Sequence, residues 1–338
     1  MGVHDGDLAP GGALLPGGAM SPSIEVRPYA VGDEKAIAHL FERSYGRSLG
    51  EAAWCWRFLD SPGGPGVVAL GWDGPTLAGH HAVSRVRFSI SGEELATGLS
   101  GTTMTDPAYR GLGLFSLLAQ SVYRSMEDAG MAFVWGFPNT MSHRGFIRDL
   151  GWHDVYEIPT FRLDLSQEKA LPVRDDRAVG LQAFDSRFDR LWERLRSENR
   201  IAARRDRDSL TWRYLLNPTE RYEILGLIQL DELLGYAVLK EYLQELHVVD
   251  ILAPRDQTEV GESLVVSAAQ LAKERGLSAV SMWLSVVHPL HRALERLGFR
   301  NEGPVTYLGA RLLRPLPPGS NLFDFRDWYF TMGDSDVY

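Results

Sequence analysis

Apolar and polar positions along the chain predict short strands that alternate with amphipathic helices. Alternating or continuous apolar runs predict strands at residues 24–29, 67–72, 77–90, 96–105 and 133–137. Helical spacing of apolar residues predicts helices after Asp33, at residues 112–129 and at residues 142–150. Asp73-Gly74 and Ser91-Gly92 lie between predicted strands and are typical of hairpin turns. The pattern therefore indicates an α/β fold.

The second half of the chain repeats the first. Trp56-Arg-Phe-Leu-Asp-Ser-Pro62 returns as Trp212-Arg-Tyr-Leu-Leu-Asn-Pro218, and Asp149-Leu-Gly-Trp152 is echoed by Arg296-Leu-Gly-Phe299. A repeat of about 150 residues is too long for a solenoid unit, so it indicates a duplicated domain. We predict a disordered leader at residues 1–21, a first domain at 22–168, a second at 169–314, and a tail at 315–338 that docks on the body.

Composition and charge narrow the possible functions. The 338 residues suffice for two domains, and a hydrophobic share of 44% with a charged share of 23% is typical of a globular protein. A net charge of -9 argues against broad nucleic-acid binding, which requires a basic surface. No apolar run reaches the ~20 residues that span a bilayer. We expect a cytoplasmic protein without nucleic-acid or membrane partners.

Cysteine usage excludes two further kinds of site. Cys55 is the single cysteine, so neither a disulfide within the chain nor a cysteine-based metal site can form. The first 21 residues contain no Lys or Arg, which argues against a secretory signal. We expect no bound metal.

One segment carries recognisable chemistry. Thr105-Asp-Pro-Ala-Tyr-Arg-Gly-Leu-Gly-Leu-Phe115 follows a predicted strand and opens a predicted helix, where free backbone N–H groups bind phosphate. Gly111 and Gly113 allow close approach of a pyrophosphate, and Arg110 adds a cation. Two glycines before a helix are a weak signal alone, and neither Rossmann nor P-loop spacing is present. The corresponding residues 253–260 of the second half lack glycine.

In this context Pro-x-Tyr-Arg-Gly-x-Gly, at residues 107–113, resembles the coenzyme A signature of the GNAT-superfamily N-acyltransferases. Asn139, Phe146 and Leu150-Gly-Trp152 resemble the second conserved segment of that superfamily. Residues 102–115, the Pro138-Asn139 pair and the terminal run 333–336 are similar to tandem-domain enzymes that act on nucleotide-linked amino sugars or antibiotic precursors. The resemblance implies two GNAT-like domains, the second degenerate. Each would have a mixed, mostly antiparallel sheet flanked by helices, with a splayed pair of parallel strands.

The resemblance also implies a co-substrate, acetyl-CoA or another acyl-CoA, in the wedge between strands 96–105 and 133–137. The residues that it assigns to coenzyme binding are Thr103, Met104, Thr105, Arg110, Gly111, Leu112, Gly113, Leu114, Phe115 and Asn139. A backbone N–H near Met104 is the expected donor to the thioester carbonyl. Two positions depart from the family pattern. Phe115 replaces a small residue, and Ile147 stands where a tyrosine often acts as the general acid.

Three residues are candidates for the general base: His80, His81 and Asp336. His80 and His81 are neighbours on one predicted strand, so their side chains point to opposite faces and one of them can face the wedge. Asp336 follows the aromatic run 328–330, which is typical of a docked tail. For all three, a packing or surface role is the alternative interpretation.

The expected function is transfer of an acyl group, most simply acetyl, to the primary amine of a small molecule such as a nucleotide-linked amino sugar or natural-product precursor. The first alternative is an acyl-CoA-binding sensor without catalysis. The second is a peptide or protein N-acetyltransferase. A monomer and a homodimer are both compatible with the sequence.

Overall fold

The computed structural model of the protein describes residues 23–166, 171–173 and 175–336. Within these residues, fourteen strands join into one mixed and mostly antiparallel sheet, which helices flank. The predicted fold class is therefore confirmed. The predicted leader, residues 1–21, lies outside the described residues. No helix of the described ranges is both long and apolar enough to cross a bilayer.

The first half of the chain follows the predicted order of elements. Its strands are β1 (Ile24–Pro28), β2 (Val67–Asp73), β3 (Thr76–Ile90), β4 (Glu93–Thr105), β5 (Phe133–Gly136) and β6 (His153–Asp164). Its helices are α1 (Glu34–Tyr45), α2 (Glu51–Phe58), α3 (Leu114–Asp128) and α4 (His143–Leu150). Ser91 and Gly92 have φ angles of 49° and 87°, the left-handed pair that a two-residue turn between β3 and β4 requires.

The second half repeats this plan and ends in the tail. Its strands are β7 (Ala178–Leu181), β8 (Ile201–Ala203), β9 (Glu223–Gln229), β10 (Glu232–Tyr242), β11 (Glu245–Leu252), β12 (Ala279–Met282) and β13 (Arg300–Leu312), with β14 (Trp328–Tyr329) in the tail. Its helices are α5 (Ser186–Leu195), α6 (Arg207–Leu210), α7 (Thr258–Glu274) and α8 (Pro289–Leu297). The parallel pair β11–β12 corresponds to the parallel pair β4–β5 of the first half.

The two halves exchange their last strands. β13 of the second half pairs with β5 of the first, and β6 of the first half pairs with β12 of the second. β6 and β13 also pair with each other, which joins the two sheets into one. The halves therefore share a continuous hydrogen-bonded ladder, and neither half completes its sheet without the other.

The repeated Trp-Arg pairs meet where the halves touch. The indole N–H of Trp56 donates to the carbonyl oxygen of Trp212 (2.9 Å), and the indole N–H of Trp212 donates to the carbonyl oxygen of Trp56 (3.0 Å). Their rings are stacked with centroids 5.0 Å apart. Contacts that are equal in both directions are those of a two-fold axis, here relating the two halves of one chain.

The C-terminal tail is packed into the boundary between the halves. β14 pairs in parallel with β8, and Trp328, Phe330 and Met332 are buried in the core that both halves build. The buried guanidinium of Arg205 contacts the carboxylates of Asp250 (3.1 Å) and Asp334 (2.6 Å). Both carboxylates share this one guanidinium, and burial raises the pKa of Asp334, which disfavours the second negative charge of the cluster.

Candidate active site

A cavity of about 510 Å³ opens where two parallel strands separate. β4 and β5 pair at Gly98–Val134 and Leu99–Trp135, and the ladder ends there. Beyond this point Ser100 and Gly136 line the cavity, together with the end of β4 and the start of α4. The predicted site residues that line it are Thr103, Met104, Thr105, Arg110, Phe115, Asn139 and Asp336.

The glycine loop leads from β4 into α3 beside this cavity. Gly111 and Gly113 have φ angles of 81° and 76°, which an L side chain rarely adopts, and α3 begins at Leu114. Among the described residues, the backbone N–H groups of residues 111–115 find no acceptor. Leu112 is exposed and Leu114 is buried against the sheet. The loop thus presents free N–H donors at a helix start, as a phosphate site requires.

Three side-chain contacts fix the segment that precedes the glycine loop. Asp106 accepts from the backbone N–H of Ala108 (2.9 Å) and pairs with the guanidinium of Arg43 (2.6 Å). The hydroxyl of Tyr109 donates to the carboxylate of Asp73 (2.8 Å). The chain therefore enters the glycine loop from a short turn that is tied both to α1 and to the β2–β3 hairpin.

β4 carries a bulge where it borders the cavity. Thr102 has a φ of 55°, and the register with β3 shifts between His80 and Ala82. The bulge turns backbone groups out of the ladder. His80 Nδ1 lies 2.8 Å from the carbonyl oxygen of Thr102, and the hydroxyl of Tyr45 donates to that of Thr103 (2.8 Å). Two side chains from different elements thus hold the bulge in place.

His80 has both ring nitrogens occupied. The indole N–H of Trp54 donates to Nε2 (3.1 Å), which leaves Nδ1 as the protonated nitrogen that donates to Thr102. The ring is fully buried, and burial lowers the pKa of His80 to about 4. His80 does not line the cavity. Its geometry favours a positioning role at the bulge over proton transfer.

His81 points to the opposite face of β3, as the alternation of a strand requires. Its ring is fully buried between Phe115 and Tyr123, with Nδ1 3.4 Å from the hydroxyl of Thr103. Burial, followed by the charge of His80, lowers the pKa of His81 to about 3. Its Nε2 has no hydrogen-bond partner among the described residues. His81 also lies outside the cavity wall, so we do not carry either histidine forward as the base.

Of the two departures from the family pattern, Phe115 lines the cavity and Ile147 does not. Phe115 packs edge-on against Phe146 of α4, and a Cβ on Gly145 would lie 3.2 Å from the Phe115 ring. Ile147 packs in the core beneath α3, so α4 supplies no phenol there. Asn139 accepts from the backbone N–H groups of Met141 and Ser142 (both 3.0 Å) and so shapes the start of α4.

Asp336 reaches the cavity from the tail. Its Oδ2 would lie only 3.3 Å from a Cβ on Gly101, so the glycine leaves the room in which the carboxylate sits. The guanidinium of Arg57 donates to the carbonyl oxygen of Asp336 (3.1 Å) and lies 3.8 Å from its carboxylate. Arg213 holds the carbonyl oxygens of Gly333 (2.9 Å) and Ser335 in the same way. The repeated Trp-Arg pairs therefore clamp the tail.

Sequence reasoning missed Tyr45 and Arg57 as residues of the site. Tyr45 lines the cavity at the end of α1, and burial, followed by the nearby Asp336 carboxylate, raises the pKa of its phenol. No motif marks Tyr45. The recurrence of Trp-Arg in both halves marked Arg57, although nothing in the sequence linked it to the tail.

In the second half, the tail covers the place that corresponds to this opening. β11 and β12 pair up to Val248 and Met282, and the tail then covers β11. The hydroxyl of Tyr329 donates to the carbonyl oxygen of Ile251, and Gly333 lies against the carbonyl of Val249. In the described ranges, no group of three or more His, Cys, Asp and Glu side chains could hold a metal ion.

Comparisons with known proteins agree with this architecture. Residues 25–155 match the family described as Acetyltransferase (GNAT) domain. A search of curated proteins finds no significant match. A GCN5-related N-acetyltransferase from Anabaena variabilis superposes with a TM-score of 0.66 at 14% identity, over 86% of this chain and 73% of that chain.

Two further structures share the fold of both halves. A tandem GNAT protein from the clavulanic acid biosynthesis pathway has a TM-score of 0.58 at 13% identity, over 87% of this chain and 100% of that chain. The N-myristoyltransferase of Saccharomyces cerevisiae with bound myristoyl-CoA has a TM-score of 0.61 at 13% identity, over 91% and 85%. Residues 25–155 thus match a GNAT acetyltransferase domain, and the chain as a whole shares the fold of a tandem GNAT protein.

Proposed function

We propose that the protein transfers an acyl group, most simply acetyl, from acyl-CoA to the primary amine of a small molecule. The observation that carries this proposal is one continuous cavity, which joins Arg110 of the glycine loop, the separated strands and Asp336. A nucleotide-linked amino sugar or a natural-product precursor is the proposed acceptor class. The match to a tandem GNAT protein from the clavulanic acid biosynthesis pathway supports the second of these.

The loop and the separated strands would hold the coenzyme. Free N–H groups of residues 111–115 suit the pyrophosphate, and Arg110 adds a positive charge at the cavity wall. The pantetheine arm would follow the edge of β4 at Thr103 to Thr105, opposite Asn139. In this proposal the thioester lies where β4 and β5 separate.

Asp336 is the proposed general base. It would take the proton from the ammonium group of the acceptor, whose nitrogen then forms a bond to the thioester carbonyl carbon. A backbone N–H near Met104 would stabilise the oxyanion of the tetrahedral intermediate. The C–S bond then breaks, the second proton of the attacking nitrogen passes to the leaving thiolate, and the proton held by Asp336 is released to solvent. Both substrates are held in alignment throughout, and no covalent enzyme intermediate is needed.

Tyr45 is the proposed hydrogen-bond donor to the leaving sulfur. Its raised pKa keeps the phenol protonated at neutral pH, and its hydroxyl lies at the edge of the cavity on the carbonyl of Thr103. Its hydroxyl would take the role that a tyrosine at the position of Ile147 has in the family pattern. Under this proposal, the lack of a tyrosine at Ile147 does not by itself favour the sensor alternative.

Two measurements test the proposal. Acetyl-CoA is expected to raise the melting temperature, whereas NAD and ATP are not, because only the former matches both the loop and the wedge. A thiol-release assay with a panel of small primary amines is then expected to show turnover. Unchanged melting curves with several acyl-CoAs would refute the coenzyme assignment. Binding without turnover on any amine would favour the sensor, and turnover on peptides alone would favour protein N-acetylation.

A cytoplasmic location belongs to the same proposal. Fractionation of cells that express the protein checks it, and recovery with membranes would contradict it.

A further inference from the structure

The cavity between β4 and β5 ends where the two strands begin to pair. The last pair is Leu99–Trp135, so Ser100 and Gly136 are the first residues beyond the ladder, and both line the cavity. Arg110 borders the cavity at the glycine loop. In the proposed function the pantetheine arm runs from that loop along β4, so the acyl group at its tip points toward the paired strands.

The side chain of Trp152 lies at this inner end, which we call the closed end. A Cβ on Gly136 would lie 3.1 Å from the carbonyl oxygen of Ser100 and 3.5 Å from Cη2 of Trp152. All three residues line the cavity. Carbon atoms in contact lie about 3.5–4.0 Å apart, so a carbon atom at the position of that Cβ already touches the ring. The six-membered ring of Trp152 is therefore the wall that an acyl group meets.

The Trp152 ring is held on several sides. Its indole N–H donates to the hydroxyl of Tyr123 (2.8 Å), and both side chains are buried. The ring of Phe146 packs against it with centroids 4.6 Å apart. Gly309 pairs with Gly136, and a Cβ on Gly309 would lie only 3.1 Å from Cε3 of the same ring. Because the ring lies over two paired glycines and is tied at its nitrogen, it cannot swing aside without losing these contacts.

The surroundings of the closed end are apolar. Phe146 packs on Trp152, Phe115 packs on Phe146, and all three rings line the cavity. Among the lining residues that the structure describes, Arg110 at the glycine loop is the one cationic side chain. A carboxylate on the acyl group would thus be buried against aromatic rings without a counter-ion, which costs much free energy. The closed end suits a neutral acyl group.

The second half has a smaller ring at the equivalent position of the repeat. Leu150-Gly-Trp152 of the first half corresponds to Leu297-Gly-Phe299 of the second. Phe299 is also buried, and it packs on Phe161. The repeated motif therefore folds with either ring, which makes phenylalanine the replacement of choice in a test of Trp152.

We propose that the closed end is an acyl subsite for a neutral acyl group, and that Trp152 sets the longest chain that the subsite takes. This rests on the proposed acyl transfer and deepens it by naming the class of donor. A fixed ring makes the limit sharp, because each methylene group beyond it must displace packed atoms.

A length series of donors tests the limit. Thiol release is measured with acetyl-, propionyl-, butyryl-, hexanoyl- and octanoyl-CoA and the amine that is used best. At one step of the series kcat/KM is expected to fall about 10- to 200-fold, the range for one methylene group too many in a hydrophobic pocket. A profile without such a step up to octanoyl-CoA would overturn the proposal.

A charged donor tests the second part of the assignment. The longest acyl group that the protein uses is compared with its ω-carboxyl analogue of equal carbon number. The analogue is expected to have a kcat/KM at least about 100-fold lower, because an unpaired carboxylate is costly to bury. Equal use of the two donors would refute a neutral subsite.

The variant W152F connects the limit to the ring. The step is expected to move to a longer chain, because phenylalanine lacks about three of the ring atoms of tryptophan and leaves their space to the acyl group. W72F is the matched control, since Trp72 lies on β2 under the guanidinium of Arg27 (4.9 Å) and does not line the cavity. Ratios of kcat/KM between donors are compared within one preparation, so the folded fraction cancels. An unmoved step in W152F would contradict the assignment.

The variant G136A tests the same wall in the opposite direction. The added methyl group fills the space between Gly136 and the Trp152 ring, so the step is expected to move to a shorter chain. G180A makes the same change in β7, where the place of the Cβ is open, and is expected to keep the wild-type step. A step that stays in place or moves to a longer chain in G136A would argue against this subsite.

Calorimetric titration separates this proposal from the proposed function. Free CoA and the same acyl-CoAs are titrated into the wild-type protein and W152F without an amine. If amines are acylated but neither turnover nor affinity shows a step in chain length, the acyl subsite is refuted and the acyl transfer stands. If affinity shows the step, W152F moves it and no amine is acylated, the acyl subsite stands and the acyl transfer fails.

Discussion

The two halves of the chain share one arrangement of strands, but the first half keeps a cavity between two of them and the second half is covered by the tail. In the first half, β4 and β5 separate beyond Leu99 and Trp135, and the gap remains a cavity of about 510 Å³. In the second half, β11 and β12 pair up to Val248 and Met282, and the tail packs on the continuation of β11. The same tail then extends to Gly101 of the first half. The tail therefore covers the end of the β11–β12 pair and contributes Asp336 to the cavity between β4 and β5.

The loops that follow β4 and β11 also differ between the two halves. In the first half Gly111 and Gly113 adopt left-handed angles, and the free N–H groups face outward before α3. In the second half Pro254, which has no N–H, lies between β11 and α7, and Gln257 precedes the helix with a φ of -121°. A duplicated scaffold can thus keep its packing while losing its phosphate-binding donors, because the donors depend on a few loop residues.

The largest expected effect comes from the glycine loop. The double substitution G111V/G113V is expected to abolish the melting-temperature shift by acetyl-CoA, because each valine strains a left-handed residue by about 1–2 kcal/mol and turns the N–H groups away. Thermal denaturation with and without acetyl-CoA measures this. G276V is the matched control in the second half, since Gly276 also has a positive φ (70°) and open space around it. A retained shift in the double variant would place the pyrophosphate elsewhere.

The second largest effect is expected from removal of the proposed base. D336N is expected to lower kcat about 10²- to 10⁴-fold, the range for a general base, while acetyl-CoA binding is kept. Steady-state thiol release and the melting shift measure the two properties separately. D324N in the same tail, where Asp324 pairs with the exposed Arg326, is expected to retain kcat. An unchanged kcat in D336N would show that another group accepts the proton.

The neighbouring aspartate is expected to act on stability instead. D334N leaves the buried Arg205 paired with Asp250 and removes one charged hydrogen bond, which is expected to cost about 1.5–3 kcal/mol of unfolding free energy. Urea unfolding measures this. D336N, whose carboxylate is partly exposed, serves as the comparison and is expected to change stability little. Equal losses of unfolding free energy in both variants would mean that Asp334 and Asp336 contribute equally to stability.

The smallest effect tests the symmetry between the halves. W56F and W212F each remove one indole hydrogen bond, which is worth about 1 kcal/mol, and the two losses are expected to be similar because the bonds are reciprocal. A double-mutant cycle in urea is expected to give a coupling of about 0.5–1.5 kcal/mol for the stacked rings. Clearly unequal single effects would argue against the two-fold relation.

Much of the fold followed from local patterns. Helical spacing before Met126 predicted α3, and Ser91-Gly92 predicted the turn at which both residues have positive φ. These features depend on neighbours in the chain, so the sequence contains what is needed. The exchange of β6 and β13 had no such signal, because either last strand could have paired within its own half and only packing selects between the two arrangements.

The residues of the candidate site likewise include some that local sequence predicts and others that only packing brings together. The sequence by itself determined the glycine loop, since the left-handed angles at Gly111 and Gly113 and the helix start at Leu114 are set by consecutive residues. Tertiary structure decided the rest. It buried His80 and His81 away from the cavity, brought Tyr45 to the bulge of β4, and placed Asp336 beside Gly101 with Arg57 as its clamp. Proton transfer requires groups at a defined distance and exposure, and residues far apart in the chain acquire both only when the two halves and the tail pack together.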